Sequence, residues 1–157
     1  MRTLVGIVAG NRSDMDTMKL AQEVLGELDV PSEITVLADH LDPVEKLHLY
    51  ALTAERRGLE VIIAGGSSMP CPVPVFASLT PVAVIHVPIP ASENNETSFP
   101  LVFTDFANAR PPLLVTEPGD AHVAGLWAAQ MLAAKHWPVY RSLQKRKAVH
   151  GGTAVQA

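Results

Sequence analysis

The chain has 157 residues, of which 48% are hydrophobic, and a formal net charge of -4 at pH 7. This length suits one domain with a buried core, and an acidic chain without a basic stripe is not expected to bind nucleic acid. The only basic cluster, Arg141 with Lys145 to Lys147, is more simply explained as the solvated face of a helix. A single cysteine excludes an internal disulfide and favours the reducing cytoplasm, and the first residues are too few for a signal peptide or a membrane span. We therefore expect a cytoplasmic protein with no membrane partner.

Apolar runs alternate with helical patterns along the chain. Strands are predicted at Thr3 to Ala9, Glu33 to Leu37, Val61 to Ala64, Pro81 to Val87 and Pro112 to Thr116. Helices are predicted from Ser13, in a capping box with Asp16, to a stop before Pro31, from Pro43 to a C-cap at Gly58, and from Asp120 to Lys135. Strands and helices that alternate through short connections indicate a parallel sheet. The predicted fold is α/β, a single three-layer αβα sandwich of the flavodoxin or Rossmann type.

The spacing of apolar residues predicts which side of each helix is buried. In the first helix that side holds Met18, Ala21, Val24, Leu25 and Leu28. In the helix that starts at Asp120 it is predicted to hold Val123, Leu126, Trp127 and Met131.

The chain is expected to divide into three parts. Residues 1–135 form the α/β domain, in which any helix between Val87 and Pro112 is short and starts near Ser98. Residues 136–150 form a helical extension, which is too short to be stable alone and is expected to dock on a neighbouring subunit. Residues 151–157 are expected to be a disordered tail.

Three loops follow the first three predicted strands, at Gly10 to Asp14, Ala38 to Asp42 and Gly65 to Pro74. The carboxyl ends of parallel strands share one edge of the sheet, where open α/β folds bind ligands, so these loops are expected to converge on one pocket. In the first loop, backbone N–H groups before a helix could receive an anion, with Arg12 as counter-charge. The alternative is a plain capped turn.

His40 lies in the second loop, directly before a helix start. Asp42 is a candidate N-cap, Pro43 suits the first helical position, and Glu45 completes a capping box. An imidazole with an ordinary pKa of about 6.5 would thus be held at the ligand-binding edge, where it could transfer protons. Asp39 beside it could orient it. The alternative is a polar surface residue.

The third loop is stiffened by Pro70, Pro72 and Pro74 and carries the single thiol, Cys71. A partly exposed thiol near a helix start could act as nucleophile or acid, although a lone cysteine is also a common small apolar filler. The sequence has no zinc-ligand spacing, Walker motif, dinucleotide fingerprint or nucleophile elbow. No metal and no cofactor are therefore expected.

Segments that match one known family extend from Val5 to about Lys135. Val5 to Asp14 is similar to a first strand and its Gly-Ser-Xaa-Ser-Asp loop, Ala38 to Pro43 is similar to a catalytic Ser-Ala-His-Arg-Thr-Pro loop, and close matches occur in Arg56 to Gly65, Leu79 to Pro81 and Ala128 to Leu132. In order and spacing these segments resemble the PurE family. Its members are N5-carboxyaminoimidazole ribonucleotide mutases or aminoimidazole ribonucleotide carboxylases of purine synthesis.

The resemblance implies a role for His40 and a set of substrate contacts. In the family this histidine takes or returns the ring proton while the substrate loses CO2 and the ring carbon is carboxylated again. The family's phosphate-binding arginine and serines correspond to Leu41, Asn11 and Ala38, and its second histidine aligns with Cys71. The candidate substrate-binding residues are Gly10, Asn11, Arg12, Ser13, Asp14, Ala38, Asp39, Leu41, Gly65, Gly66, Ser67, Ser68 and Cys71.

These departures lie in the pocket, whereas the framework is retained. The sequence therefore favours a diverged PurE-like enzyme that catalyses decarboxylation or carboxyl migration on a small imidazole-like carboxylate, a substrate different from the usual phosphorylated ribonucleotide. The alternatives are a genuine N5-carboxyaminoimidazole ribonucleotide mutase and a non-catalytic scaffold with the same fold. The resemblance also implies a homo-oligomer, an octamer in the family.

Overall fold

The structure is a computed structural model that describes residues 2–67, 69, 73–90 and 112–151, except for the side chains of Val75 and Gly151. The short helix predicted near Ser98 and the predicted tail from residue 152 onward lie outside the described residues. So do two candidate substrate-binding residues, Ser68 and Cys71.

The strands lie close to their predicted bounds, and short 3-10 turns come before two of the helices. The strands are β1 (Val5–Ala9), β2 (Ser32–Val36), β3 (Val61–Gly66), β4 (Ala83–Pro88) and β5 (Leu113–Val115). The helices are α1 (Met15–Glu27), α2 (Pro43–Arg57), α3 (Val73–Ser78), α4 (Ala121–Ala133) and α5 (Trp137–Gly151). The 3-10 turns are Arg12–Asp14 and Leu37–Asp39. The sequence does not predict α3, because six residues are too few to show a helical period.

All strand pairs are parallel, and the order in the sheet is β2-β1-β3-β4-β5, which is the flavodoxin type. Side chains alternate between the two faces of the sheet. Ile7 and Ile63 pack with α1, α4 and α5 on one face, whereas Val8 and Ile62 pack with α2 and α3 on the other. The predicted three-layer α/β sandwich is confirmed.

The start of α1 differs from its prediction. The N–H of Asn11 donates to Asp14 Oδ2 at 3.0 Å, so the turn that leads into α1 is closed by this pair and not by Ser13 and Asp16. The physical reason is that Asp14 points inward, where it also bonds the third loop, and the chain must turn tightly around it before α1 begins.

Helices α1 and α4 pack through small residues. The predicted buried side of α1 is confirmed, but the buried side of α4 consists of Ala121, Ala124, Gly125, Ala128, Ala129 and Leu132. A Cβ at Gly125 would lie 2.3 Å from Val24 Cγ1, so the two helices approach too closely for a larger residue there. The prediction for α4 was therefore wrong about which residues are fully buried: Val123, Leu126 and Trp127 are half-buried, although Leu126 and Trp127 still pack against the core, and Met131 is exposed.

Helix α5 docks on its own chain. Val139 and Leu143 are buried in the same cluster as α1 and α4, and Arg146 Nη1 contacts Glu27 Oε2 at 2.5 Å. The extension was expected to dock on a neighbouring subunit, whereas its buried side is covered within the same chain. Trp137 is exposed and stacks on Tyr140 with 5.1 Å between ring centroids. No helix in the described ranges is long and apolar enough to cross a membrane.

Candidate active site

The three predicted loops meet at the carboxyl edge of the sheet. The N–H of Gly10 donates to the carbonyl of Gly65 at 3.0 Å, which extends the β1–β3 pairing into the loops. The N–H of Ala38 donates to the carbonyl of Gly10 at 3.1 Å, so the second loop is attached to the first. The convergence expected from the parallel topology is thus observed where the three loops leave their strands, at Gly10, Ala38 and Gly65.

Asp14 joins the first loop to the third. Its Oδ1 accepts hydrogen bonds from the backbone N–H of Ser67 at 3.1 Å and from the Ser67 hydroxyl at 3.0 Å, while Oδ2 accepts from the N–H of Asn11. The side chain is buried, with 2% of the residue exposed. A buried carboxylate needs such donors, because without them its desolvation would be costly. The Asp14 carboxylate is therefore a structural clamp, here called the Asp14 clamp.

Gly66 allows this clamp to form. Its φ is 157°, and a Cβ there would lie 2.8 Å from Asp14 Oδ2 and 2.8 Å from the Gly10 nitrogen. Any side chain at this position would push the first and third loops apart. Gly66 thus allows the backbone of the third loop to lie close to that of the first loop at the predicted site.

Arg12 pairs with Asp39 across the first and second loops. Arg12 Nε donates to Asp39 Oδ1 at 2.7 Å, and the two side chains are 81% and 38% exposed. The hydrogen bond to Asp39, followed by its Coulomb attraction, raises the pKa of Arg12 above its ordinary value. The cation that the sequence assigns to an anionic ligand is therefore already paired with a carboxylate.

Some of the backbone N–H groups of the first loop are used within the chain. Those of Asn11 and Asp14 bond Asp14 Oδ2 and the carbonyl of Asn11, respectively. In the part of the chain that the structure describes, no acceptor is found for the N–H groups of Arg12 and Ser13. The predicted anion-binding group is thus reduced to these two N–H groups, which lie at the start of a helical turn.

His40 is presented as predicted, on an exposed loop before a capped helix. Asp42 Oδ1 accepts from the N–H of Glu45 at 2.9 Å, which confirms Asp42 as the N-cap of α2. The N–H of His40 donates to the carbonyl of Leu37 at 3.0 Å, and buried Leu37 anchors the loop. The imidazole and the fully exposed Leu41 side chain lie at the surface, so His40 is open to a substrate and to solvent protons.

Polar groups outside the loops have structural surroundings. Tyr50 donates its hydroxyl proton to Glu33 Oε1 at 2.8 Å, Arg57 also pairs with Glu33, and the Arg57 guanidinium lies 4.9 Å from the centre of the Tyr50 ring. Burial, and then the bond to Glu33, raises the pKa of Tyr50. His86 is buried on β4, and burial lowers its pKa to about 4. Both groups lie in the body of the fold rather than in the three loops.

Two contacts at this edge were not predicted from the sequence. One is the Asp14 clamp, whose only sequence signal is a carboxylate that directly follows a buried strand. The other is the pairing of Arg12 with Asp39, two residues that are 27 positions apart. Among the described residues, no cluster of His, Cys, Asp or Glu has the arrangement of a metal site.

Comparison with known proteins gives a consistent assignment. The profile of the AIR carboxylase family matches residues 4–151. An N5-carboxyaminoimidazole ribonucleotide mutase of Aquifex aeolicus is 38% identical over 87% of this chain and 80% of its own length. One of Bacillus subtilis is 37% identical over 94% of this chain and 91% of its own length.

Solved structures agree with this fold. A crystal structure of Treponema denticola PurE superposes with a TM-score of 0.71 at 18% identity, over 99% of this chain and 96% of that one. A crystal structure of a single-residue variant of Treponema denticola PurE2 gives the same TM-score at 16% identity, over the same shares of the two chains. Because the family profile covers nearly the whole chain and relatives exceed a third in identity, the chain belongs to the PurE family of AIR carboxylases.

Proposed function

We propose that this protein is an N5-carboxyaminoimidazole ribonucleotide mutase with His40 as its proton shuttle. The observation that carries the proposal is the exposed His40 imidazole on the loop that hydrogen bonds hold beside the Asp14 clamp. The mutase names of relatives at 37 to 38% identity support this substrate over a diverged one.

The proposed reaction moves a carboxyl group within one molecule. The bond between the exocyclic nitrogen and the carboxyl carbon breaks, CO2 is retained in the site, and it forms a new bond to the ring carbon. His40 gives a proton to the nitrogen as this bond breaks and takes one from the ring carbon after the new bond forms, so that atoms and charge balance without a cofactor. An imidazole suits this task because its ordinary pKa is about 6.5, close to the working pH.

The proposed substrate contacts surround His40. The N–H groups of Arg12 and Ser13 would face the phosphate, and Gly10, Gly66 and Ser67 would form the wall that the Asp14 clamp holds in place. The remaining predicted contacts in the described loops are Asn11, Ala38, Asp39, Leu41 and Gly65. Ser68 and Cys71 stay predictions from the sequence.

Turnover of N5-carboxyaminoimidazole ribonucleotide by purified protein tests the proposal. His40→Ala is expected to lower kcat by about 10² to 10⁴, the usual contribution of a positioned acid–base group. His48→Ala is the matched control, because His48 is an exposed histidine on α2. A wild-type rate in His40→Ala would refute the role of His40. Absence of turnover, together with failure to restore growth of a purine auxotroph, would support the non-catalytic alternative.

The pairing of Arg12 with Asp39 favours a second candidate, the same chemistry on a carboxylate that lacks the phosphate. The Asp39 carboxylate, paired with Arg12, lowers the positive charge that is available to a phosphate dianion. Comparing kcat/KM for the ribonucleotide and for its dephosphorylated nucleoside separates the candidates, since a higher value for the nucleoside would select the second. Release of CO2 instead of the carboxylated isomer would identify a decarboxylase.

We also propose that the protein acts as a homo-oligomer in the cytoplasm, an octamer if it follows the family resemblance. Exposed Met131 on α4 and exposed Trp137 on α5, together with the uncovered parts of half-buried Leu126 and Trp127, support an interface there. Light scattering coupled to size exclusion measures the mass. A monomer at micromolar concentration would rule the oligomer out.

A further inference from the structure

The ion pair between Arg12 and Asp39 joins the first and second loops at the exposed carboxyl edge of the sheet. The two residues belong to the two loops that Gly10 and Ala38 hold together, and Asp39 directly precedes His40. We propose that Asp39 determines specificity at this site by competing with anionic substrate groups for the Arg12 side chain. This proposal rests on the proposed function, which gives these loops to the substrate.

Exposure makes the pair exchangeable. The Arg12 and Asp39 side chains are 81% and 38% exposed, and pairs this exposed are weak and screened by salt. By contrast, the buried Asp14 carboxylate is held by donors from Asn11 and Ser67. Within the described residues, Asp39 is therefore the carboxylate that contacts Arg12 and can also leave it.

A phosphate group is the ligand that can replace Asp39. Asp39 uses one donor of the guanidinium, Nε, whereas the guanidinium carries five donors and a phosphate offers three acceptor oxygens and up to two negative charges. Exchange would release Asp39 to solvent beside His40.

This competition has a direction. While Asp39 is charged, every ligand that needs Arg12 must displace it, and a ligand without a phosphate need not. Asp39 therefore lowers the affinity for phosphorylated substrates relative to phosphate-free ones. Neutralising Asp39 should raise affinity for phosphate only, and only while Arg12 is present.

Titration with inorganic phosphate at constant ionic strength, followed by calorimetry, tests this dependence. Asp39→Asn keeps the shape of the side chain and should bind phosphate about two- to fivefold more tightly than the wild type, the range for freeing one exposed cation. Arg12→Gln and the double variant Arg12→Gln with Asp39→Asn should both lack this gain. Glu27→Gln is the matched control, because it removes one negative charge from an exposed pair with Arg146 on the α1–α5 side.

Equal phosphate affinity in Asp39→Asn and the wild type would overturn the proposal, and so would a gain that survives Arg12→Gln or appears in Glu27→Gln. A lower KM of Asp39→Asn for the phosphorylated substrate, with no change for its nucleoside, would support it during turnover. The phosphate titration needs no turnover. If the wild type is an active mutase and Asp39→Asn has the same phosphate affinity as the wild type, the role of Asp39 is refuted. The proposed function then still stands.

Discussion

Asp14 and Ser67 lie 53 positions apart, yet Asp14 Oδ1 accepts hydrogen bonds from both the backbone N–H and the hydroxyl of Ser67. Asp14→Asn would keep the shape of the side chain but place an amide donor opposite one of these donors. We expect it to lower the free energy of unfolding by about 2–4 kcal/mol, and Ser67→Ala, which removes one donor, by about 1 kcal/mol. Urea unfolding measures both.

Asp16→Asn is the control for Asp14→Asn, since Asp16 is exposed in the first turn of α1. A change at an exposed first-turn carboxylate is worth a few tenths of a kcal/mol. If the two asparagine variants were equally stable, Asp14 would not be a clamp.

Gly66 and Gly26 should respond in opposite directions to alanine. At Gly66 a Cβ would lie 2.8 Å from Asp14 Oδ2 and from the Gly10 nitrogen, so the two loops must separate, and we expect a loss of about 1–3 kcal/mol in unfolding free energy. Gly26 lies in α1 with nothing within 4 Å of a new Cβ, so Gly26→Ala should gain about 0.5–1 kcal/mol. Thermal unfolding distinguishes these results, and a neutral Gly66→Ala would contradict the close approach of the loops.

Buried His86 should make the protein less stable in mild acid. Its pKa is lowered to about 4 in the folded protein, against 6.5 for the ordinary residue, so only the unfolded chain takes up this proton between those values. The contribution is complete above pH 6.5 and falls by up to about 3 kcal/mol as the pH decreases towards 4.

Urea unfolding of the wild type and of His86→Gln across this pH range tests the prediction. His86→Gln should show a flatter profile, whereas His48→Gln, at an exposed position, should follow the wild type. Parallel profiles for the wild type and His86→Gln would mean that His86 does not titrate in this way.

Tyr50 should cause part of the decrease in unfolding free energy at alkaline pH. Burial and the hydrogen bond to Glu33 raise its pKa above the ordinary 10.0, so above pH 10 the unfolded chain loses this proton while the folded protein keeps it. Stability from this source is complete below pH 10 and is lost as the pH rises further. Tyr50→Phe should cost about 1 kcal/mol at neutral pH and should flatten the alkaline limb.

Unfolding at pH values on both sides of 10 measures this effect. Tyr140→Phe is the control, because Tyr140 is an exposed tyrosine on α5. A steep alkaline loss that persists in Tyr50→Phe would assign the effect to other groups.

The framework could be predicted from sequence because each of its signals is local. A continuous apolar run such as Val61 to Ala64 indicates a buried strand, and the sequence Asp42-Pro43 with Glu45 indicates a helix start; both are observed. The parallel topology then places the three loops at one edge. His40 lies where this reasoning puts it.

The contacts of the site could not be predicted in the same way. The Asp14 clamp and the Arg12–Asp39 pair join residues from different strand ends, and no local pattern distinguishes their partners. The error on α4 has a related cause. Periodicity selects large apolar residues such as Leu126, but the close approach of Val24 to Gly125 requires small ones, and that distance is a property of the tertiary structure.

The positions of the tryptophans on α4 and α5 have a practical consequence for spectroscopy. The chain has two tryptophans, Trp127 on α4 and Trp137 on α5, and none in the three loops of the candidate site. Trp127 is half-buried against the core cluster that α4 shares with α1, and Trp137 is exposed beside Tyr140. Tryptophan fluorescence therefore reports on any molecule that covers α4 and α5. A blue shift of the emission when the protein is concentrated would show subunit association without any substrate.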